Sequence, residues 1–141
     1  MSIVLLVHVL AVGLWLGCLA TEIAFEKLMA RDESARPFVS LLHDRVDRFV
    51  EGPAFVVTAI TGAILVPGAA WTPTLVLKVA LAAAAVLFNI WCLKIVFDRA
   101  AAASAGRWDD WAALDHVQHK VGGLVTLLLI AATVVALVRV V

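Results

Sequence analysis

The sequence carries no excess of either charge: eleven acidic side chains balance eleven basic ones. A global electrostatic attraction to nucleic acid or to an acidic substrate is thereby excluded, and charge informs only by position. Cysteine is scarce. Cys18 and Cys92 both fall inside apolar runs, where a free thiol usually behaves as a small buried hydrophobe, so the pair leaves the redox compartment open. The chain also lacks an HExxH ligand pair, a Ser/His/Asp or Cys/His nucleophile arrangement and a phosphate-binding loop, which removes the hydrolase and nucleotide-binding classes that those motifs mark. What it has in abundance is hydrocarbon. Hydrophobic residues make up 64 % of the chain and the mean hydropathy is +1.04, whereas soluble domains are about half apolar. The expectation is an integral membrane protein.

Four apolar stretches carry that hydropathy. Residues 3–26 run apolar as far as Thr21, broken by His8, and close with Glu22 and Glu26 one helical turn apart. Runs of this length span a bilayer. A secretory signal would need a basic leading region, a shorter core and a small-residue cleavage site, so the stretch reads as a mature helix. The second span, 38–66, opens with Phe38, Leu41, Leu42, Val46, Phe49 and Val50 at helical spacing. It therefore begins amphipathic and enters hydrocarbon near Val50, with Pro37 as a first helical residue and Ser34 as its cap. The third, 73–97, starts at Thr72-Pro73, is interrupted by Lys78, Asn89 and Lys94, and frays through an alanine-rich tail. The fourth, 116–138, follows a polar link in which Trp108, Trp111 and Leu114 share a face, as in a segment lying in the membrane interface. The expected fold is all-α, one four-helix up-down integral membrane bundle.

Basic residues orient it. Lys27, Arg31, Arg36, Arg45 and Arg48 lie in the first link, and Arg99 and Arg107, flanked by Lys94 and Lys120, in the third; the second has none. The positive-inside rule puts both basic links in the cytoplasm and both termini on the outer face of a bacterial-type inner membrane, with Arg139 a mild exception.

Counting depth at ~1.5 Å per residue from the middle of each run separates two candidate sites. On the outer side His8 and Lys78 share a level one to two turns below the surface, and an ionisable residue there is a functional hypothesis. The competing readings are a snorkelling lysine and a hydrogen-bonded packing histidine. On the cytoplasmic side Glu22 and Glu26, then His43, Asp47 and Glu51, then His116 and His119 gather near the hydrocarbon edge, each set on one helix face. Mixed imidazole and carboxylate ligands suit zinc or iron, and facing helices of a bundle are a common place to hold them. The competing reading is a solvated edge in which the acids pair with Arg45, Arg48 and Lys120. Between the two levels Cys18 and Cys92 are placed either as unrelated core residues or as soft ligands for copper. Gly13 with Gly17, and Gly122 with Thr126, form small faces for close helix packing, against a second copy in a homodimer or around a porphyrin.

The first helix, HVLAVGLWLG, with His8, Trp15 and Gly17, and the third-helix opening LVLKVALAAAAVLFN resemble small bacterial membrane proteins of the HemJ-type protoporphyrinogen oxidase and copper-resistance protein D families. The chain departs from them in having no arginine- and tyrosine-rich continuation after Gly17 and no tyrosine at all. The resemblance implies a haem site that includes His8 and Lys78. It covers about half of the chain and leaves the segment HDRVDRFVEGP, residues 43–53, unexplained.

Three readings follow. The chain is a haem b or transition-metal (iron, zinc or copper) protein of the membrane, ligated by His8, Lys78, His43, His116 or His119, with Glu22, Glu26 and Asp47 as further metal ligands and a redox or cofactor-handling role that includes membrane oxidoreductase activity with a redox partner. Alternatively it is a non-enzymatic anchor that docks a partner at its cytoplasmic face, or a copper or other metal transporter.

Overall fold

The computed structural model describes residues 2–29 and 32–138; Arg31 and Arg139, both weighed in the charge argument, lie outside the described residues. Four long helices account for nearly all of it: α1 (Ile3–Met29), α2 (Glu33–Leu65), α3 (Pro73–Ser104) and α4 (Trp108–Leu137). Each is long and apolar enough to cross a membrane, and only 22 % to 28 % of each apolar window is buried inside the bundle. Large side chains such as Leu10, Ile60, Leu87 and Leu127 point outward, each more than half exposed. A protein surrounded by water rarely leaves so much contiguous apolar surface open.

Side-chain contacts fix the topology. At one end of the bundle His8 of α1 meets Thr61 of α2, and at the other Glu26 of α1 meets His43 of α2, so the first two helices run antiparallel. Arg99 of α3 reaches both Asp115 of α4 and Glu26 of α1, and Trp111 of α4 donates from Nε1 to Ser40 Oγ of α2 at 2.7 Å. The apolar core between the ends is built from Trp15, Leu19, Ala54, Phe55, Ala85, Val125 and Leu129, one or two side chains from every helix. Trp15 and Phe55 pack with ring centroids 5.7 Å apart.

The helix ends follow local chemistry. Thr72 caps α3 by accepting from Leu75 N at 3.3 Å, with Pro73 in the first turn, where a missing N–H costs nothing. At the start of α2 the cap is Asp32 rather than Ser34: its carboxylate accepts from both Ser34 N and Ser34 Oγ, which holds the Asp32 carboxyl below its usual range and winds Glu33–Ala35 into a 3₁₀ turn. Two further expectations change. The alanine-rich tail of α3 stays helical as far as Ser104, consistent with the high helix propensity of alanine. The segment expected to lie in the interface forms the first three turns of α4, with Trp111, 5 % exposed, turned into the bundle against Arg36 and Arg99.

The unexplained segment 43–53 is where α2 changes its winding. Residues Asp47–Glu51 form one π-helical turn, closed by the Gly52 N–H bonding to the Asp47 carbonyl. Pro53 gives the reason. Without an N–H it offers nothing to the carbonyl four residues back, and its ring would strike that carbonyl in an ordinary α-helix. A wider turn ahead of it removes the clash, and π turns of this kind recur at functional sites. Gly52 is needed as well, since a Cβ there would sit 2.7 Å from the Asp47 carbonyl oxygen.

Candidate functional site

His43, from the α-helical turn before the π turn, and Asp47 and Glu51, from the π turn itself, face the same place. His43, Asp47 and Glu51 are each at most 5 % exposed and converge on Glu22 and Glu26 of α1, themselves 5 % and 4 % exposed. His43 is the hub. Its Nδ1 lies 2.7 Å from Glu26 Oε1, a distance at which a carboxylate, which can only accept, requires the imidazole to donate. With that donation Nε2 is the nitrogen turned toward Glu22 Oε2 (3.4 Å) and Asp47 Oδ1 (3.8 Å), while Arg99 Nη2 (3.2 Å) and the Gln118 amide nitrogen (3.1 Å) also lie beside Nδ1. The nearest donor to Nε2 is the Gln118 amide nitrogen at 3.4 Å, long for a hydrogen bond.

Glu26 is held by Arg99, which is completely buried and also bridges to Asp115 on α4. This cation sits where Glu26, Asp115 and His119, a second set of ligand-type atoms within 4.8 Å of one another, would otherwise gather an ion. That second set is already neutralised. The first set, Glu22, His43 and Asp47, whose ligand atoms likewise lie within 4.8 Å of one another, has no guanidinium or ammonium among its members. Four buried acceptor atoms around it have no hydrogen-bond partner among the described residues: Glu22 Oε1, Asp47 Oδ1, Glu51 Oε2 and Gln118 Oε1. Glu22, Glu51 and Gln118 line one cavity of about 250 Å³ together with His43, Asp47 and Cys92. Buried polar atoms are normally satisfied, and several orphaned acceptors facing one void are a ligand's counterpart.

The geometry suits a metal ion. Two ligand atoms each ~2.1 Å from a tetrahedral ion lie about 3.4 Å apart, which is the spacing of His43 Nε2 and Glu22 Oε2. An imidazole whose outer nitrogen donates to a carboxylate is also the usual setting of a metal-bound histidine, because that bond fixes the tautomer and the ring.

The remaining sequence candidates fall elsewhere. His119 stands at the cavity rim, 48 % exposed, with Nδ1 2.8 Å from the Asp115 carbonyl oxygen. His116 is exposed on α4: the buried stripe of that helix runs through Trp111, Gln118, Val121 and Val125, and 116 points about 160° away from 118. At the far end of the bundle His8 Nδ1 meets Thr61 Oγ1 at 2.9 Å, and Thr61 in turn donates to the Val57 carbonyl. The His8 ring lies against Gly62, whose added Cβ would come within 3.3 Å of His8 Cε1. Lys78 is half-buried and close enough to act on His8 electrostatically. His8 and Lys78 thus form a separate locus. The expected ion pairs to Arg45, Arg48 and Lys120 are replaced: Arg48 binds Asp44 at 2.8 Å, Arg45 lies over the Phe49 ring, Lys120 is exposed, and Arg99 serves the buried acids. Gly13 and Gly17 face outward with nothing within 4 Å of an added Cβ.

Arg99, Gln118 and Trp111 were not legible as site residues. For Arg99 a signal existed: Ala85, Asn89, Val96, Arg99 and Ala102, all buried, repeat at intervals of three, four or seven along α3, so the arginine lies on the inward stripe. Comparison with protein families, with characterised proteins and with solved structures gave no match for this chain.

Proposed function

We propose that this chain is an integral membrane protein that holds a divalent transition-metal ion, iron or zinc, inside its bundle. The ligands are His43 Nε2, Glu22 and Asp47, with Glu51 and Gln118 beside them and Glu26 with Arg99 behind His43. One observation carries the reading: the Nε2 side of His43 and one oxygen each of Glu22 and Asp47, all buried, come within 4.8 Å of one another with Nδ1 engaged by Glu26, a convergence of ligand atoms that a cation would satisfy. An ion fits better than a porphyrin. The cavity, at about 250 Å³, is too small for a macrocycle, and His8 lies at the opposite end from His43. Burial in four membrane-length helices and the basic links at the site's end favour a position near the cytoplasmic face of a plasma membrane. Its role is then metal handling or metal-assisted chemistry.

The test is elemental analysis of protein purified without chelator, followed by equilibrium dialysis against Zn²⁺ and Fe²⁺. One ion per chain, lost in Glu22→Gln and His43→Ala but retained in His8→Ala and His116→Ala, is the expected result. A metal-free chain that takes up neither ion would mean that protons alone neutralise these acids, and the reading would fall.

A further inference from the structure

The cavity floored by Glu22, His43, Asp47 and Glu51 extends sideways between α1 and α4. Leu19 and Ile23 form one wall and Gly122, Gly123 and Thr126 the other. Helices α1 and α2 pack along their length, as do α3 and α4, whereas α1 and α4 touch sparsely, so this cleft follows the seam between two hairpins. Gly123 is half-buried and a Cβ added to it would meet nothing within 4 Å, while Ile23 opposite is 40 % exposed. The mouth therefore opens on the helix surface between Ile23 and Gly123, with Lys27 and His119 at its polar end.

A molecule that enters past Leu19, Ile23 and Gly123 meets apolar walls first and acceptors last. Its body must be apolar. Its head must bring a hydrogen-bond donor, because Glu51 Oε2 and Gln118 Oε1 are buried acceptors without partners. A carboxylate or phosphate head would set like charge against Glu22 and Glu51, and an ammonium head would oppose the metal ion. A hydroxyl satisfies both demands, with its oxygen on the open side of the ion and its hydrogen on an orphaned acceptor. Resting on the metal reading above, we propose that the cleft binds a lipid-soluble molecule with a hydroxyl head, of the phenol class, which reaches the metal from the bilayer side between α1 and α4.

The experiment uses the full chain in detergent loaded with Mn²⁺, a paramagnetic ion that carboxylate and imidazole ligands accept. Octylphenol is the probe and its methyl ether, which has no O–H, the control. Enhanced relaxation of the octylphenol ring protons is expected with Mn²⁺-loaded protein and little with the ether. Gly123→Phe, which fills the open wall, and Ile23→Trp opposite it should each abolish the enhancement while Mn²⁺ remains bound at full stoichiometry. Gln118→Leu should weaken octylphenol about tenfold. Equal enhancement by phenol and ether, none with Mn²⁺-loaded wild type, or none lost in both plugged variants would overturn the cleft proposal and leave the metal site standing. Failure of the wild type to hold Mn²⁺, Zn²⁺ or Fe²⁺ in dialysis would instead remove the metal reading and this proposal with it.

Discussion

Glu26 Oε1 lies 2.7 Å from His43 Nδ1 and is the same oxygen that Arg99 reaches, so the three groups meet at one buried point. This contact makes His43 directional. Arg99 fixes Glu26, Glu26 fixes the tautomer, and the lone pair that results faces Glu22 and Asp47. A relay of this kind orders three helices around a point that none of them touches alone.

Glu26→Gln separates orientation from ligation. The amide keeps the size of the side chain but loses the charge that favours an Nδ1–H donor, and loss of such an outer partner typically lowers metal affinity 10–100-fold. Zinc titration of the variant should show that loss with helix content unchanged. An unaltered affinity would remove Glu26 from the site.

Arg99→Ala should be the most destabilising single change at this end of the bundle. It leaves Glu26 and the partly buried Asp115 without their shared cation, and breaking a buried pair by removing one partner costs about 3–5 kcal/mol. Denaturant unfolding in micelles measures it. A loss below about 1 kcal/mol would place Arg99 among surface-like pairs.

Gly52→Ala tests the π turn. The added methyl meets the Asp47 carbonyl at 2.7 Å, and overpacking of a well-filled site costs about 1–3 kcal/mol. Because the strain is relieved only by shifting Asp47 or Glu51, metal affinity should fall in the same variant. A control at Gly13, where an added Cβ meets nothing within 4 Å, should change neither.

Metal and acid should oppose each other. Ligand carboxylates must be ionised and the imidazole nitrogen free of a proton, so acidification expels the ion. At neutral pH, zinc at 100 times its Kd should raise stability by about 2.7 kcal/mol. That increment should vanish in acid and be missing at every pH in Glu22→Gln. Thermal unfolding with and without zinc gives both numbers.

Much of this was legible before any coordinates. The four helices follow from apolar length, and the convergence of Glu22, Glu26, His43 and Asp47 follows from i,i+4 spacing at a common depth. Rotation about the helix axis was harder. His116 and His119 are three residues apart and were grouped together, yet only His119 reaches the cavity, because the inward stripe of α4 depends on where α2 and α3 lie. Arg99 was assigned to a basic link because alanine runs resemble frayed ends, although its position on the inward stripe of α3 marks it as buried. The unusual winding of α2 has its sequence correlate in Pro53, whose missing N–H and ring clash favour a wider turn before it.

The π turn has a further consequence for α2 as a whole. It divides one helix into two segments whose faces are set independently, so that Ser40 and His43 address the polar end while Ala54, Phe55 and Thr58 address the middle of the bundle. Wound as an ordinary α-helix, the same residues would turn one segment by close to one residue's step, about 100°, against the other. The apolar packing and the polar centre would then each demand a different rotation of the same helix, and only one of them could be met.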